Sequence, residues 1–195
     1  MQKINKMYFF NAIPHISGYI QSSTLKGNRT AFQHLKECIE IGKIEKLRTG
    51  LYKILEIANK DYYQEMTLIY PKATICLNSA AAYYNLTDQI PAEMHLAIGQ
   101  KTKMKILDYP PVQLHYWSEK MINQHQIISD EVKVFTLERT VCDIIRTYKN
   151  SDLELVKDVV RNYIKLPTKD FDLLLRTADE IGVKEKVKSI FELMV

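Results

Sequence analysis

Between Arg29 and Ile41 the chain repeats its apolar residues at helical spacing, and Gly42 closes the run. At 100° per residue, Ala31, Phe32, Leu35, Cys38 and Ile39 share one arc of about 120°. Arg29, Thr30, Gln33, His34, Lys36, Glu37 and Glu40 take the remaining circumference. Such a helix must press its apolar arc against other elements and turn a polar, N-terminally basic face outward. Gly42 sits where a left-handed residue commonly ends a helix. The next residues, KIEKL-RTG-LYKI, read as two β-prone strands around a three-residue loop whose glycine suits the left-handed position. Ile44 and Leu47 fall on opposite faces of an ideal strand, so a bulge is expected between them.

Two shorter helices are expected before this one. Residues 3–13 carry Ile4, Met7, Tyr8 and Phe10 at mostly helical spacing, stopped by Pro14 and Gly18. Residues 22–25 form a second, capped by Ser22 or Ser23, and Lys26-Gly27-Asn28 is a tight turn. Helix, helix, helix, hairpin is the order of a winged helix-turn-helix.

Charge separates this head from the rest. Residues 1–54 hold nine Lys/Arg against Glu37, Glu40 and Glu45, a net +6. The remainder holds 18 basic and 20 acidic residues, a net −2, and the two sum to the overall +4. A basic first quarter on a near-neutral body suits a polyanion-binding head. The expected division is 1–57 for the head and 58–195 for the body.

The body mixes element types. Helices are expected at 61–70 and 79–85, and strands at 73–77, 94–98, 112–117, 125–129 and 132–135. A helical run follows at 137–148, 152–165, 169–181 and 183–194. Ser151 with Glu154 makes a capping box, and Phe171, Leu174, Leu175 and Ala178 repeat at i, i+3, i+4, i+7. Strands followed by helices predict an α+β fold.

The outward face of helix 29–41 has the chemistry of a recognition helix. Its N-terminal side chains can reach base edges in a major groove. Arg29 can fork onto guanine and Gln33 onto adenine, with Thr30 and His34 beside them and Lys36 on phosphate. Gln21, Ser22, Ser23, Thr24, Lys26 and Asn28 supply donors of the kind that meet the backbone. Lys43, Lys46, Arg48 and Thr49, with Lys53, make the hairpin a basic wing. The same residues also fit an ordinary solvated face. In one respect they conflict, because Thr30 and Gln33 match a capping box that would turn Gln33 away from a base.

Other chemistry is sparse. Cys38, Cys76 and Cys142 are odd in number and without a CxxC pair, which speaks against a disulfide framework or zinc knuckle and for a reducing cytoplasm. The five histidines are scattered, with no HExxH, and no phosphate-binding glycine motif or GxSxG elbow is present. The loop Gly99-Gln100-Lys101-Thr102-Lys103 reads as a turn between strands, and Ser79 as a helix cap. Asp143 is expected to pair with Arg139 or Arg146 at helical spacing. No stretch has the length and apolarity of a membrane span or a signal peptide. No cofactor, metal or enzymatic activity is expected.

The run GYIQSSTLKGNRTAFQHLKECIEIGKIEKLRTGLYKI (18–54) resembles the winged helix-turn-helix of AbiEi-family antitoxins. The likeness rests on Leu35, Gly42, Ile44, Arg48, Gly50, Leu51 and Tyr52. AxICLNSAAAYYNLT (73–87), leading to IPAEMHLAI, and VFTLERTVCDIIR (134–146) are similar to blocks of that family's C-terminal region. The resemblance implies a transcriptional autorepressor of a type IV toxin–antitoxin pair in phage defence. It would bind inverted repeats of double-stranded promoter DNA and counter a nucleotidyltransferase-like toxin without a stable complex. Arg139, Arg146, Lys149, Lys157, Arg161 and Lys165 form a candidate basic antitoxicity stripe on two successive helices. The alternative is a winged-helix module that contacts RNA or protein, since fold alone does not give function.

Overall fold

The computed structural model describes residues 13–58, 61–148 and 153–194. The expected helix at 3–13 lies almost wholly outside them, as do Lys149 and Ser151. The chain divides into two units, the first ending at Ile69 and the second beginning at Tyr70.

In the first unit, β1 (Tyr19–Gln21) leads into a single 3-10 turn, Ser22–Leu25. Next come α1 (Arg29–Glu40), β2 (Ile44–Arg48), β3 (Leu51–Ile54) and α2 (Tyr62–Ile69). The strands form one antiparallel sheet in the order β1-β3-β2. Strand β1 leaves no mark in the sequence, because three residues are too few to show alternation. Ile13, Ile20, Leu25, Ala31, Leu35, Cys38, Ile44 and Ile54 close into one core. Sheet and helix therefore bury a common apolar face.

Helix α1 stops as its sequence requires. Gly42 takes φ +69°, and the Lys43 N–H donates to the Cys38 carbonyl at 2.9 Å while Gly42 N–H donates to Ile39 at 3.0 Å. This is the double-bonded C-terminal motif that needs a residue without a Cβ penalty. The expected bulge is present: the β2–β3 register shifts between Lys46 and Arg48. The hairpin loop is two residues, Thr49 and Gly50, rather than three, because Arg48 already pairs with Leu51.

The unit boundary falls beyond the expected one at 57/58. Helix α2 belongs to the head because it is stapled there. Glu65 accepts from the Tyr19 hydroxyl at 3.0 Å and pairs closely with Lys53. Burial and that carboxylate push the Tyr19 phenol above its ordinary range.

The second unit is α+β. Its strands are β4 (Thr74–Ile75), β5 (Met94–Gly99), β6 (Val112–Trp117), β7 (Gln126–Ser129) and β8 (Val132–Phe135). They form a mixed sheet in the order β6-β5-β4-β8-β7. The β5–β6 and β4–β8 pairs are parallel, and the other two are antiparallel. Its helices are α3 (Leu77–Tyr83), α4 (Glu119–Asn123), α5 (Leu137–Thr147), α6 (Leu153–Lys165), α7 (Phe171–Glu180) and α8 (Lys184–Met194).

The strand expected at 73–77 shrinks to two residues because Leu77 turns to φ +46° and opens α3. Ser79 is consequently inside that helix, buried, and accepts from the His95 N–H at 2.9 Å instead of capping. Helix α5 packs against α3, α6, α7 and α8. Every residue from Glu138 to Ile145 is buried.

Candidate nucleic-acid interface

All the head residues of interest lie in the first unit. On α1, Ala31, Leu35 and Cys38 face the core, whereas Arg29, Thr30, Gln33, Lys36 and Glu40 are exposed and His34 is half-buried. Phe32, expected in the apolar arc, is 36% exposed. It sits at the edge of that arc, next to Lys36, where the core no longer reaches.

The helix start settles the capping conflict. Asn28, not Thr30, is the cap: its Oδ1 accepts from the Ala31 N–H at 2.9 Å. Gln33 does not fold back on the backbone; its Nε2 donates to Glu37 Oε1 at 3.0 Å, one turn away on the exposed face. Asn28 is thus committed to the helix end, and Gln33 is held only by an exposed i, i+4 contact of about 0.5 kcal/mol or less.

In the preceding turn Gln21, Ser23, Thr24 and Lys26 are exposed and Ser22 is half-buried. The Thr24 hydroxyl donates to the Gln21 carbonyl at 2.7 Å, so its own proton is taken locally. The Ser22 N–H donates to Gly50 at 2.9 Å, tying the turn to the hairpin loop.

The hairpin is less cationic than its sequence. Lys43 pairs with Glu56 at 2.5 Å, and Lys53 with Glu65. Arg48 is half-buried: Nη1 donates to the Thr49 carbonyl at 3.2 Å and Nη2 to the Leu68 carbonyl at 3.3 Å. Lys43 and Arg48, both expected in the wing, therefore carry partners within the unit. Among the described residues, Lys46 keeps an unpaired ammonium, and Thr49 is exposed beside it. On the helix and the turn before it, Arg29, Lys36 and Lys26 are likewise unpaired among the described residues.

Arg48 thus reads as a staple between the hairpin and the last turn of α2. Arg48→Ala is expected to cost the first unit about 1–3 kcal/mol, since two carbonyls lose a charged donor. Urea unfolding checks this. Unchanged stability together with weakened DNA binding would return Arg48 to the interface.

The basic stripe of the second unit does not assemble. Arg139 is fully buried, with Nε 2.7 Å from Asp143 Oδ2 and Nη1 donating to the Gln124 carbonyl at 3.3 Å. Its guanidinium lies 4.8 Å from the Phe135 ring centroid. Arg146 reaches the other Asp143 oxygen at 3.0 Å and stacks over Trp117 at 5.0 Å. These two arginines hold the core of α5 and offer no common surface, because the helix is wrapped by neighbours. On α6, Lys157 pairs with Glu154 at 2.7 Å and Arg161 lies 3.9 Å from Asp158. Lys165 is exposed.

Among the described residues no cluster of three or more His, Cys, Asp or Glu could hold a metal ion. The three cysteines are free and buried. Burial pushes the Cys142 thiol up to about 12, which denies it the thiolate a nucleophile needs. The loop after β5 turns as expected, with the Thr102 N–H donating to Gly99 at 2.8 Å. Two histidines the sequence left scattered, His95 and His115, come together in the second unit. Each is visible as a strand residue, but the parallel β5–β6 register that unites them leaves no mark in the sequence.

No protein-family model matches the chain, and neither does any curated protein. Among solved structures, the crystal structure of the Rv2827c protein from Mycobacterium tuberculosis is similar in fold, with a TM-score of 0.51 at 12% identity. The match covers 89% of this chain and 75% of that one. At such identity the likeness concerns the α+β fold alone. Among the described residues no helix is long and apolar enough to cross a membrane.

Proposed function

We propose that the first unit is a winged helix that reads double-stranded DNA, and that the chain is the autorepressor and antitoxin of a type IV pair. One observation carries the DNA reading. Arg29, Thr30 and Lys36 stand exposed along one face of a helix whose opposite face is locked into a core, and Arg29 and Lys36 are without ion-pair partners among the described residues. Lys26 precedes that face, and Lys46 is on the hairpin. A rigid helix presenting forked and point-charge donors is the arrangement that base-edge and phosphate contacts require. The antitoxin role rests on the sequence resemblance, and its partner is a nucleotidyltransferase-like toxin. The described residues hold one such reader, so inverted repeats would take two copies.

Binding to DNA from the chain's own promoter is the test. Arg29→Ala is expected to weaken specific binding by about 1–3 kcal/mol and relax base preference at one position. Lys26→Ala, Lys36→Ala or Lys46→Ala is expected to weaken binding to all sequences alike and to lower the salt slope by about one each. A gel shift over a salt series measures both. Unchanged affinity for Arg29→Ala would place the interface elsewhere. Co-expression with the adjacent reading frame, scored as restored growth, tests the antitoxin role.

The second reading, an RNA- or protein-contacting module, is favoured by the hairpin. Its Lys43 and Lys53 charges are met by Glu56 and Glu65, which leaves a weaker wing for a groove. Equal affinity for any duplex, beside tight binding to one RNA or protein, would select it.

A further inference from the structure

His95 of β5 and His115 of β6 lie on one face of the parallel strand pair, where His95 sits opposite Gln113 and Ala97 opposite His115. Their rings stack with centroids 5.1 Å apart, and His115 Nε2 is 3.1 Å from His95 Nδ1. Both line a cavity of about 490 Å³, with Asn78, Gln113, Ile144 and Tyr148 also on its wall. That volume is in the range of small-molecule sites, roughly 300–1,000 Å³.

The pair is neutral at ordinary pH. Burial lowers both imidazoles, and the neighbouring His95 and the Arg146 charge help bring His115 to about 4. Two neutral imidazoles own two N–H protons, and one of these occupies the shared bond. If His115 Nε2 holds it, His115 Nδ1 is bare and His95 Nε2 carries hydrogen. If His95 Nδ1 holds it, His95 Nε2 is bare and His115 Nδ1 carries hydrogen. Either way the outer nitrogens offer one donor and one acceptor, and a concerted tautomer shift exchanges them.

The Asn78 and Gln113 amides repeat the theme, each with a donor and an acceptor. No lining side chain carries a formal charge at neutral pH, and Ile144 and Tyr148 supply apolar and aromatic wall. The matching ligand is planar, uncharged where buried, and edged by alternating donors and acceptors.

We propose that this cavity binds a nucleobase, held at its edge by the His95–His115 pair and the Asn78 and Gln113 amides. The base could come from a free nucleoside or from an unstacked position in a strand, and the experiment separates the two. Full-length protein with ¹⁵N-histidine is titrated with adenosine, guanosine, cytidine and uridine in turn, then with a short single-stranded oligonucleotide. Long-range ¹H–¹⁵N spectra follow each imidazole. Saturable shifts of His95 and His115 with at least one nucleoside are expected. Shifts with the oligonucleotide alone would assign the base to a strand. His115→Phe should weaken binding about tenfold or more, and Gln113→Leu, at an exposed position, should do so with the fold intact. No imidazole response to any probe, or binding unchanged in both variants, would overturn the proposal.

Discussion

Asp143→Ala is expected to destabilise the second unit by about 3–5 kcal/mol. The carboxylate is 1% exposed and is shared by two guanidiniums, Arg139 at 2.7 Å and Arg146 at 3.0 Å. Without it, two like charges would face each other in the core, and Arg139, wholly buried, would keep only a carbonyl and aromatic faces as partners. A paired buried charge is tolerated, whereas an orphaned one is expensive. Lys157→Ala, which opens an exposed pair with Glu154, is the contrast and should change stability by about 0.5 kcal/mol or less. Urea unfolding followed by the fluorescence of Trp117, the chain's single tryptophan, reads both, since Arg146 stacks on that indole. A loss below about 1 kcal/mol for Asp143→Ala would mean that water reaches the cluster and the pairing is not structural.

The same cluster shows what the sequence could and could not yield. Spacing alone put Asp143 within reach of Arg139 and Arg146, and both contacts form. Spacing also lined up those arginines as a surface stripe, which fails because α5 is covered by four helices and has no outer face. Periodicity reports which residues share a side, but not how many sides are covered. In the head, the helix over 29–41, the glycine stop and the bulge were legible because each is local: a repeat, a φ requirement, a mismatch of alternation. The partners of Lys43, Arg48 and Lys53 were not, since Glu56, Glu65 and Leu68 lie 12 to 20 residues further along the chain and beyond the basic stretch. Net charge counted by segment overstated the free charge of the hairpin for that reason. The His95–His115 pair was hidden for a related one: an irregular connection separates the strands, and only their parallel pairing sets the diagonal.

Leu35→Ala and Arg29→Ala test the two faces of α1 against each other. Leu35 is 2% exposed within the core formed with Leu25, Ala31, Cys38 and Ile44. Its truncation should cost about 2–5 kcal/mol, the lost transfer of a methine and two methyl carbons plus the cavity they leave. The upper end applies if the sheet cannot collapse inward; its antiparallel ladder, closed on both sides of β3, resists that movement. Arg29 meets no partner among the described residues, so Arg29→Ala should leave stability within about 0.5 kcal/mol. Amide hydrogen exchange along α1 separates the outcomes, because it reports opening of that helix whatever the rest of the chain does. Leu35→Ala should accelerate exchange at the α1 amides and, on the proposed DNA reading, bind duplex as the parent does at equal folded fraction. Arg29→Ala should keep parental exchange and lose affinity. The reverse pattern, protection lost at Arg29 and retained at Leu35, would mean the helix is rotated about its axis. The residues assigned to the groove would then belong to the core.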